Sequence, residues 1–286
     1  MLDYAEQTVD PPVRAAWLRE IHPGVDVRVI PDDPSISAEE TDAEAAWIRA
    51  FLGDEPIDIF FSSEHYGEAL AHALGALHFN VDRERILVPV TGTMIRRDPV
   101  AALAWLEPPV RAHYVPRICV TGAESTGKTT LVRQLAEHYG ALSVPEYGRE
   151  YTLEKARNGQ LGRWIPEEFV HIAFEQQRQE DDLARHSMPV LLCDTDAFAT
   201  RLWYEFYLER EPERWRLPPS RIALYLIPFP DVPFVADEIR DGEHKRYWMH
   251  ARFEEELAKA GRQFVVLRGT YAERTAQAIA AIDELL

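Results

Sequence analysis

The octapeptide Gly122-Ala123-Glu124-Ser125-Thr126-Gly127-Lys128-Thr129 restricts what this chain can fold into more than any other feature. It fits G-x-x-x-x-G-K-[ST] in full, with an apolar run, Ile118 to Thr121, before it and a helix-forming stretch, Lys128 to Tyr139, behind it. Glycines at both ends let successive backbone N–H groups turn inward around phosphate oxygens, and the N-terminus of the following helix adds partial positive charge. Lys128 suits the β- and γ-phosphates, and the Thr129 hydroxyl suits Mg²⁺. Glu124, Ser125, Thr126 and Thr130 complete the expected nucleotide cradle, so ATP and Mg²⁺ are the expected cofactors.

A strand–loop–helix unit of this kind belongs in a parallel α/β sheet, and the rest of the chain follows that alternation. Expected strands after the loop are Leu142–Val144, Val190–Cys193, Ile222–Ile227 and Phe264–Leu267. Expected helices are Lys128–Tyr139, closed by Gly140, one from Pro166 to about His186, and Ala197–Glu209, Tyr247–Ala260 and Tyr271–Leu285. Before the loop, strands are expected at Val25–Ile30, Ile57–Phe61, Leu77–Val81 and Ile86–Val88. Helices there are expected at Thr41–Phe51 and Glu64–Leu74, the latter stopped by Gly75. The proline-bearing segment Glu107-Pro108-Pro109 through Tyr114 reads as a boundary, dividing 1–112 from 113–286.

Composition narrows the class. The 286 residues carry a formal charge of −17, and 46% are apolar. The charge opposes general nucleic-acid binding, which needs a basic footprint. No stretch approaches the ~20 apolar residues of a membrane span, and the acidic start, Met1 to Glu6, has no secretory h-region. Both cysteines, Cys119 and Cys193, sit in apolar runs and read as reduced core residues. A cytoplasmic protein acting on a small molecule is expected, and a homo-oligomer is compatible with these features.

Further acids and cations cluster after the expected strands. Leu191-Leu192-Cys193-Asp194 ends an apolar run in a carboxylate, which places Asp194 beside the metal with Thr129. Asp196 reads either as a contact to a substrate sugar or as the cap of the helix starting near Ala197. After the second strand come Glu146, Tyr147 and Arg149. Glu146 is the first choice to accept or position an acceptor hydroxyl proton, with Asp196 second. Tyr147 suits stacking on a ring, and Arg149 suits a phosphate or a neighbouring acid. Arg240, with Lys245 and Arg246 behind it, reads as a lid that closes cations over phosphate. His244 and His250 read as surface residues. In the first half, Thr91-Gly92-Thr93-Met94-Ile95-Arg96 is a turn opening a helix, with Thr93 and Arg96 as phosphate contacts.

Thr91 to Arg96 resembles the I-S-x-T-x-I-R signature of nicotinamide-mononucleotide adenylyltransferases, and Phe61 to Gly67 resembles the strand-to-helix segment before it. Glu146 to Arg149, Asp194 to Asp196 and Val235 to Arg240 look like a ribosylnicotinamide kinase domain. Nearly the whole chain is similar to the bifunctional, NadR-type family of bacterial NAD salvage. The resemblance implies a partial Rossmann-like nucleotidyltransferase remnant followed by a P-loop kinase domain with a parallel sheet. It implies phosphorylation of nicotinamide riboside to its mononucleotide. Alternatives are adenylyl transfer to the mononucleotide, or a non-catalytic nucleotide-sensing regulator. The family's H-x-G-H helix is nowhere in the sequence, and Met1 falls about where the family's middle would be, so adenylyl transfer is expected to be absent. Asp237-Glu238 replaces the family's lid Asp-Gly.

Overall fold

The computed structural model describes residues 9–30, 41–212, 220–235 and 243–286. The chain divides into two compact units between Trp105 and Leu106. The first holds α1 (Pro11–Ile21), α2 (Thr41–Leu52), β1 (Ile59–Ser62), α3 (Gly67–Ala73), β2 (Leu77–Asn80) and α4 (Gly92–Arg97). Strands β1 and β2 pair in parallel, from Ile59 opposite Leu77 to Ser62 opposite Asn80. Ala45, Leu70 and Leu74 form a small core under them, with Ile48, Ile57 and Phe60 packed on it.

Two expected strands of this unit do not form. At Ile86–Val88 the carboxylate of Asp82, itself in a left-handed backbone conformation at φ 54°, accepts the N–H groups of Ile86 (2.8 Å), Leu87 (3.0 Å) and Val88 (2.8 Å). Donors that a strand would offer to a neighbour are spent on a local side chain, so the segment turns. Those same N–H groups hold the Asp82 carboxyl below its ordinary range. At Val25–Ile30 no strand forms: Val25 lies in a bend and the residues after it pair with neither β1 nor β2.

The second unit opens with α5 (Pro108–Tyr114), at the place expected to be a linker. Its two prolines sit at the first helical positions, where a missing N–H costs nothing. There follow β3 (Arg117–Val120), α6 (Lys128–Tyr139), β4 (Leu142–Val144), α7 (Tyr147–Arg157), α8 (Pro166–Ala184) and β5 (Leu191–Asp194). Then come α9 (Ala197–Leu208), β6 (Ile222–Pro228), α10 (Arg246–Lys259), β7 (Phe264–Leu267) and α11 (Tyr271–Asp283). The five strands form one parallel sheet in the order β4-β5-β3-β6-β7. A sheet covered on both faces demands strands that are apolar throughout. Accordingly Ile118, Cys119, Leu191, Leu192, Cys193 and Leu226 are fully buried. Helices α6 and α11 close one face through Leu131, Leu135, Ala278 and Ile282. The topology brings the C-terminal ends of β3, β4, β5 and β6 to one edge, where ligands of open α/β sheets bind. His250, expected at the surface, is 3% exposed, its ring edge-on to Phe229 at 4.8 Å. No described helix is long and apolar enough to cross a membrane.

A charged group lies under this sheet. Arg117, 1% exposed, pairs with Asp181 at 2.7 Å and stands 3.8 Å from Glu180. Burial pushes the Glu180 carboxyl up to about 8; the nearby Asp196 adds to the rise and Arg117 opposes it. Glu180 therefore keeps its proton in the native state while the unfolded chain loses it near pH ~4.3. Between those two values the unfolded state binds fewer protons, so stability falls as pH rises through this window. Glu180→Gln is expected to remove that fall. Its melting temperature should gain on the wild type between pH 5 and pH 8, and parallel pH profiles in calorimetry would contradict this.

Candidate active site

The phosphate-type loop, residues 122–129, runs from the end of β3 into α6. Gly122 at φ 131° and Gly127 at φ 87° adopt backbone conformations that L side chains avoid, and Ser125 sits at φ 54°. A Cβ on Gly127 would lie 2.7 Å from the ring of Tyr271, so glycine is also required for space. Lys128 folds back across the loop, its Nζ donating to the Ala123 carbonyl at 2.9 Å. Thr126 Oγ1 donates to the same carbonyl at 3.0 Å. Thr130 lies in the first turn of α6.

The two metal candidates lie side by side. Thr129 Oγ1 donates to Asp194 Oδ2 at 2.6 Å, joining the start of α6 to the end of β5. A hydroxyl and a carboxylate, with Asp194 only 4% exposed, are hard oxygen ligands of the kind Mg²⁺ takes beside phosphates. Thr129 and Asp194 would hold the ion, which would supply positive charge to the β- and γ-phosphates.

Asp196 has a different place from the catalytic and substrate-binding role assigned to it. It is 2% exposed. Its Oδ1 accepts from Ala199 N at 2.9 Å, capping α9, and its Oδ2 accepts from the Tyr225 hydroxyl at 2.7 Å. Burial raises its pKa, against the pull of those bonds. With both oxygens engaged inside the protein, Asp196 serves the helix cap and not the acceptor. Between the two acids, Thr195 has φ 71° and is 5% exposed, its N–H bonded to the Val120 carbonyl at 3.0 Å. A β-branched residue in that region is a genuine outlier, of a kind that costs about 1–3 kcal/mol and is kept where surrounding structure imposes it.

Glu146 is the residue before α7, and together with Arg149 it lines two depressions. The first is a cavity lined by Glu124 and Lys128 of the loop, by Glu146, Arg149, Thr195 and Thr200, and by the aromatic residues Trp164, Trp203 and Tyr207. Trp164 and Tyr207 lie 5.2 Å apart with rings 30° from parallel, and Trp203 stacks on Tyr207 at 6.0 Å. Lys155, 6% exposed, lies 4.6 Å over the Trp164 ring and is itself held by Glu168 at 2.5 Å, which fixes the indole. Tyr147, expected to stack on a substrate ring, is not part of this wall. Because α7 begins at Tyr147, residues 147 and 151 share the face toward α8. The Tyr147 hydroxyl meets His171 Nε2 at 3.1 Å, and Gly148 and Thr152 turn to the cavity instead. The three aromatic residues that do form the wall were missed. The signal for two of them was present: Thr200, Trp203 and Tyr207 recur at helical spacing on one face of α9.

Arg240 lies outside the described residues. Its neighbours behave as a strap: Val235 N donates to Ser125 Oγ at 2.7 Å. Arg246, 6% exposed, donates to the carbonyls of Val232 (3.0 Å) and Ser125 (3.2 Å). Lys245 instead lies 4.6 Å over the Phe206 ring. In the first unit, Thr91 caps α4 by accepting from Met94 N at 3.1 Å, and Arg96 Nη2 donates to Thr93 Oγ1 at 3.1 Å. Thr93 and Arg96 are thus together on one short helix.

The AAA domain family matches residues 117–274. The trifunctional NAD biosynthesis/regulator protein NadR of Salmonella typhimurium is 27% identical over 198 residues, which are 68% of this chain and 48% of that protein. The protein of the same description from Escherichia coli K12 is 26% identical over 199 residues, again 68% and 48%. The chain therefore spans about half the length of the curated relatives it matches. A crystal structure of NadR protein in complex with NR superposes with a TM-score of 0.72 at 24% identity, covering 95% of this chain and 81% of that one. One in complex with NAD and AMP-PNP gives 0.69 at 23%, with the same coverage. The expected likeness to NadR-type proteins holds in sequence, and the α/β fold is shared with these structures.

Proposed function

Because the chain belongs to the AAA domain family through residues 117–274, we propose that its second unit binds ATP with Mg²⁺ and transfers the γ-phosphate to the 5′-hydroxyl of nicotinamide riboside. The observation that carries this reading is that Lys128 and Glu146 line the same cavity as Trp164, Trp203 and Tyr207. The cavity joins a phosphate cradle to an aromatic wall, which suits a phosphoryl acceptor that carries a planar ring. The similarity to NadR, and the NR and AMP-PNP complexes of that protein, support the same choice of acceptor and donor.

The loop's inward N–H groups and Lys128 hold the triphosphate and neutralise charge that grows toward the leaving oxygen. Glu146 orients the acceptor hydroxyl and receives its proton. Arg149, beside it, balances the charge of phosphate and carboxylate. The transition state of phosphoryl transfer is loose, so most of the rate comes from positioning and electrostatics. The aromatic wall supplies the first by holding the ring of the acceptor. Glu146→Gln is expected to slow transfer to the nucleoside about 10- to 100-fold while changing background ATP hydrolysis far less. Equal losses in both would remove Glu146 from this role.

Adenylyl transfer forms no part of this reading. It requires donors on both sides of the triphosphate. The sequence has Thr93 and Arg96 for one side and no H-x-G-H for the other. Incubation with ATP and Mg²⁺ plus either nicotinamide riboside or its mononucleotide tests both statements. Mononucleotide formed from the riboside is expected, and no NAD. Absence of any phosphorylated riboside would overturn the kinase reading.

A further inference from the structure

We propose that Thr195 is a substrate-contacting residue which selects a ribose over a deoxyribose acceptor, through a hydrogen bond to a secondary hydroxyl of the sugar. The inference rests on the kinase reading above, and it begins from a backbone anomaly which that reading does not need.

Thr195 is the residue between Asp194 and Asp196, and both neighbours are fixed from outside. Asp194 ends β5 in register with Val120 and accepts from Thr129, while Asp196 is anchored by Ala199 N and the Tyr225 hydroxyl. The chain must pass from strand to helix within two residues, Thr195 and the extended cap Asp196. At Thr195 it does so with φ 71°, a conformation natural to glycine and adverse to a β-branched side chain. A glycine here would make the turn without strain. The residue that stands here carries a hydroxyl and lines the cavity. Among the described residues that hydroxyl has no hydrogen-bond partner, although the residue is 5% exposed. The neighbouring Thr200 differs: its hydroxyl donates to the Asp196 carbonyl at 3.1 Å and is spent on the helix.

Position within the cavity identifies which part of the acceptor Thr195 would meet. The phosphate end is marked by Lys128 and by the Thr129–Asp194 pair. The ring end is marked by Trp203 and Tyr207, two and three turns into α9, roughly 10–15 Å of helix away at ~1.5 Å per residue. Thr195 lines the same cavity as both ends, and along the chain it comes directly after the metal acid and before the first turn of α9, between the residues that mark them. In a nucleoside the part between a planar ring and the reacting 5′-oxygen is the sugar. A threonine hydroxyl donates one hydrogen bond and accepts two, which matches a sugar hydroxyl in either direction. A site built to bond a hydroxyl rejects the analogue that lacks it, because its own polar group is then left without a partner.

The test uses the whole chain with ATP, Mg²⁺, nicotinamide riboside and its 2′-deoxy and 3′-deoxy analogues. The wild type is expected to favour the riboside over one of the two analogues by at least ~10-fold in kcat/KM. Thr195→Val keeps the β-branched shape and removes only the hydroxyl. It should raise the KM for the riboside about 10-fold, leave the disfavoured analogue unchanged and leave the KM for ATP unchanged, so that the discrimination collapses. Thr195→Ser should restore it. A purely structural role would move riboside and analogues together, and that result, or no change at all, overturns the inference while leaving the kinase reading standing. A wild type that phosphorylates no riboside overturns both.

Discussion

Lys128→Ala is expected to lower kcat for phosphoryl transfer at least ~100-fold at saturating ATP, since a preorganised cation opposite developing charge supplies about 3–4 kcal/mol of transition-state stabilisation. The structure adds a second consequence. Lys128 Nζ spans the loop to the Ala123 carbonyl at 2.9 Å, so the same side chain braces the resting cradle. A bond from a partly exposed ammonium to a neutral carbonyl contributes about 1.5 kcal/mol to folding, the low end for a charged donor. The variant should therefore melt close to the wild type while losing nearly all turnover. Measuring both separates the roles: a large loss of activity with an intact melt places the effect in the transition state. Near-normal turnover would remove the loop from catalysis and with it the kinase reading.

Readability from sequence differs sharply between the two units, for a physical reason. In the second unit the central strands β3, β5 and β6 are buried almost throughout, so each is a short run with a clear end, and the less buried edge strands β4 and β7 are bounded by the helices on either side. Leu142–Val144 and Phe264–Leu267 fall at the expected residues, and Lys128–Tyr139 runs from its glycine to Gly140 as the periodicity implies. In the first unit, apolar residues do not mean burial. Ile86 and Leu87 are 79% and 78% exposed, because Asp82 takes the N–H groups that a strand would have used. A single side chain decided that outcome, and hydrophobic pattern does not register it. Pro108-Pro109 illustrates the opposite ambiguity, since the same pair reads as a break or as a helix start, and packing of α5 against α8 selects the second.

Within the site, residues on the loop and at strand ends were legible because chemistry and spacing agree there. Thr129 and Asp194 are 65 positions apart and meet at 2.6 Å. The acceptor side was less so. Trp164, Trp203 and Tyr207 come from a loop and a helix that tertiary packing alone brings together, and α7 begins without any side-chain cap to announce it. Asp196 had two readings, and the choice between them depended on Tyr225, 29 residues away, whose hydroxyl fills the remaining oxygen.

Arg274→Ala carries the largest expected effect on stability. Arg274 is 2% exposed, on the first turn of α11, and four of its five N–H donors are engaged. Nε donates to the Gly269 carbonyl at 2.9 Å, Nη1 to Thr126 at 2.8 Å and Nη2 to Phe229 at 2.8 Å, and Nη2 also pairs with Asp231. Burial lowers the guanidinium pKa from its usual value, yet an arginine stays charged at neutral pH. One side chain thus ties together the phosphate loop, the end of β6 and the turn between β7 and α11. Truncation leaves three carbonyls and a carboxylate without their donor, and breaking such a buried charged set costs about 3–5 kcal/mol. In a unit of this size each kcal/mol corresponds to about 2–4 °C, so a fall in melting temperature of roughly 10 °C is expected. Arg274→Lys should recover little of it, because one ammonium cannot reach positions that a planar fork spans. Thr126 belongs to the loop, so the surviving folded fraction should also show a raised KM for ATP with kcat less affected, the reverse of the Lys128→Ala pattern. A melt within ~2 °C of the wild type would mean that water or a rearranged side chain satisfies these carbonyls, and that the loop holds its shape without support from α11.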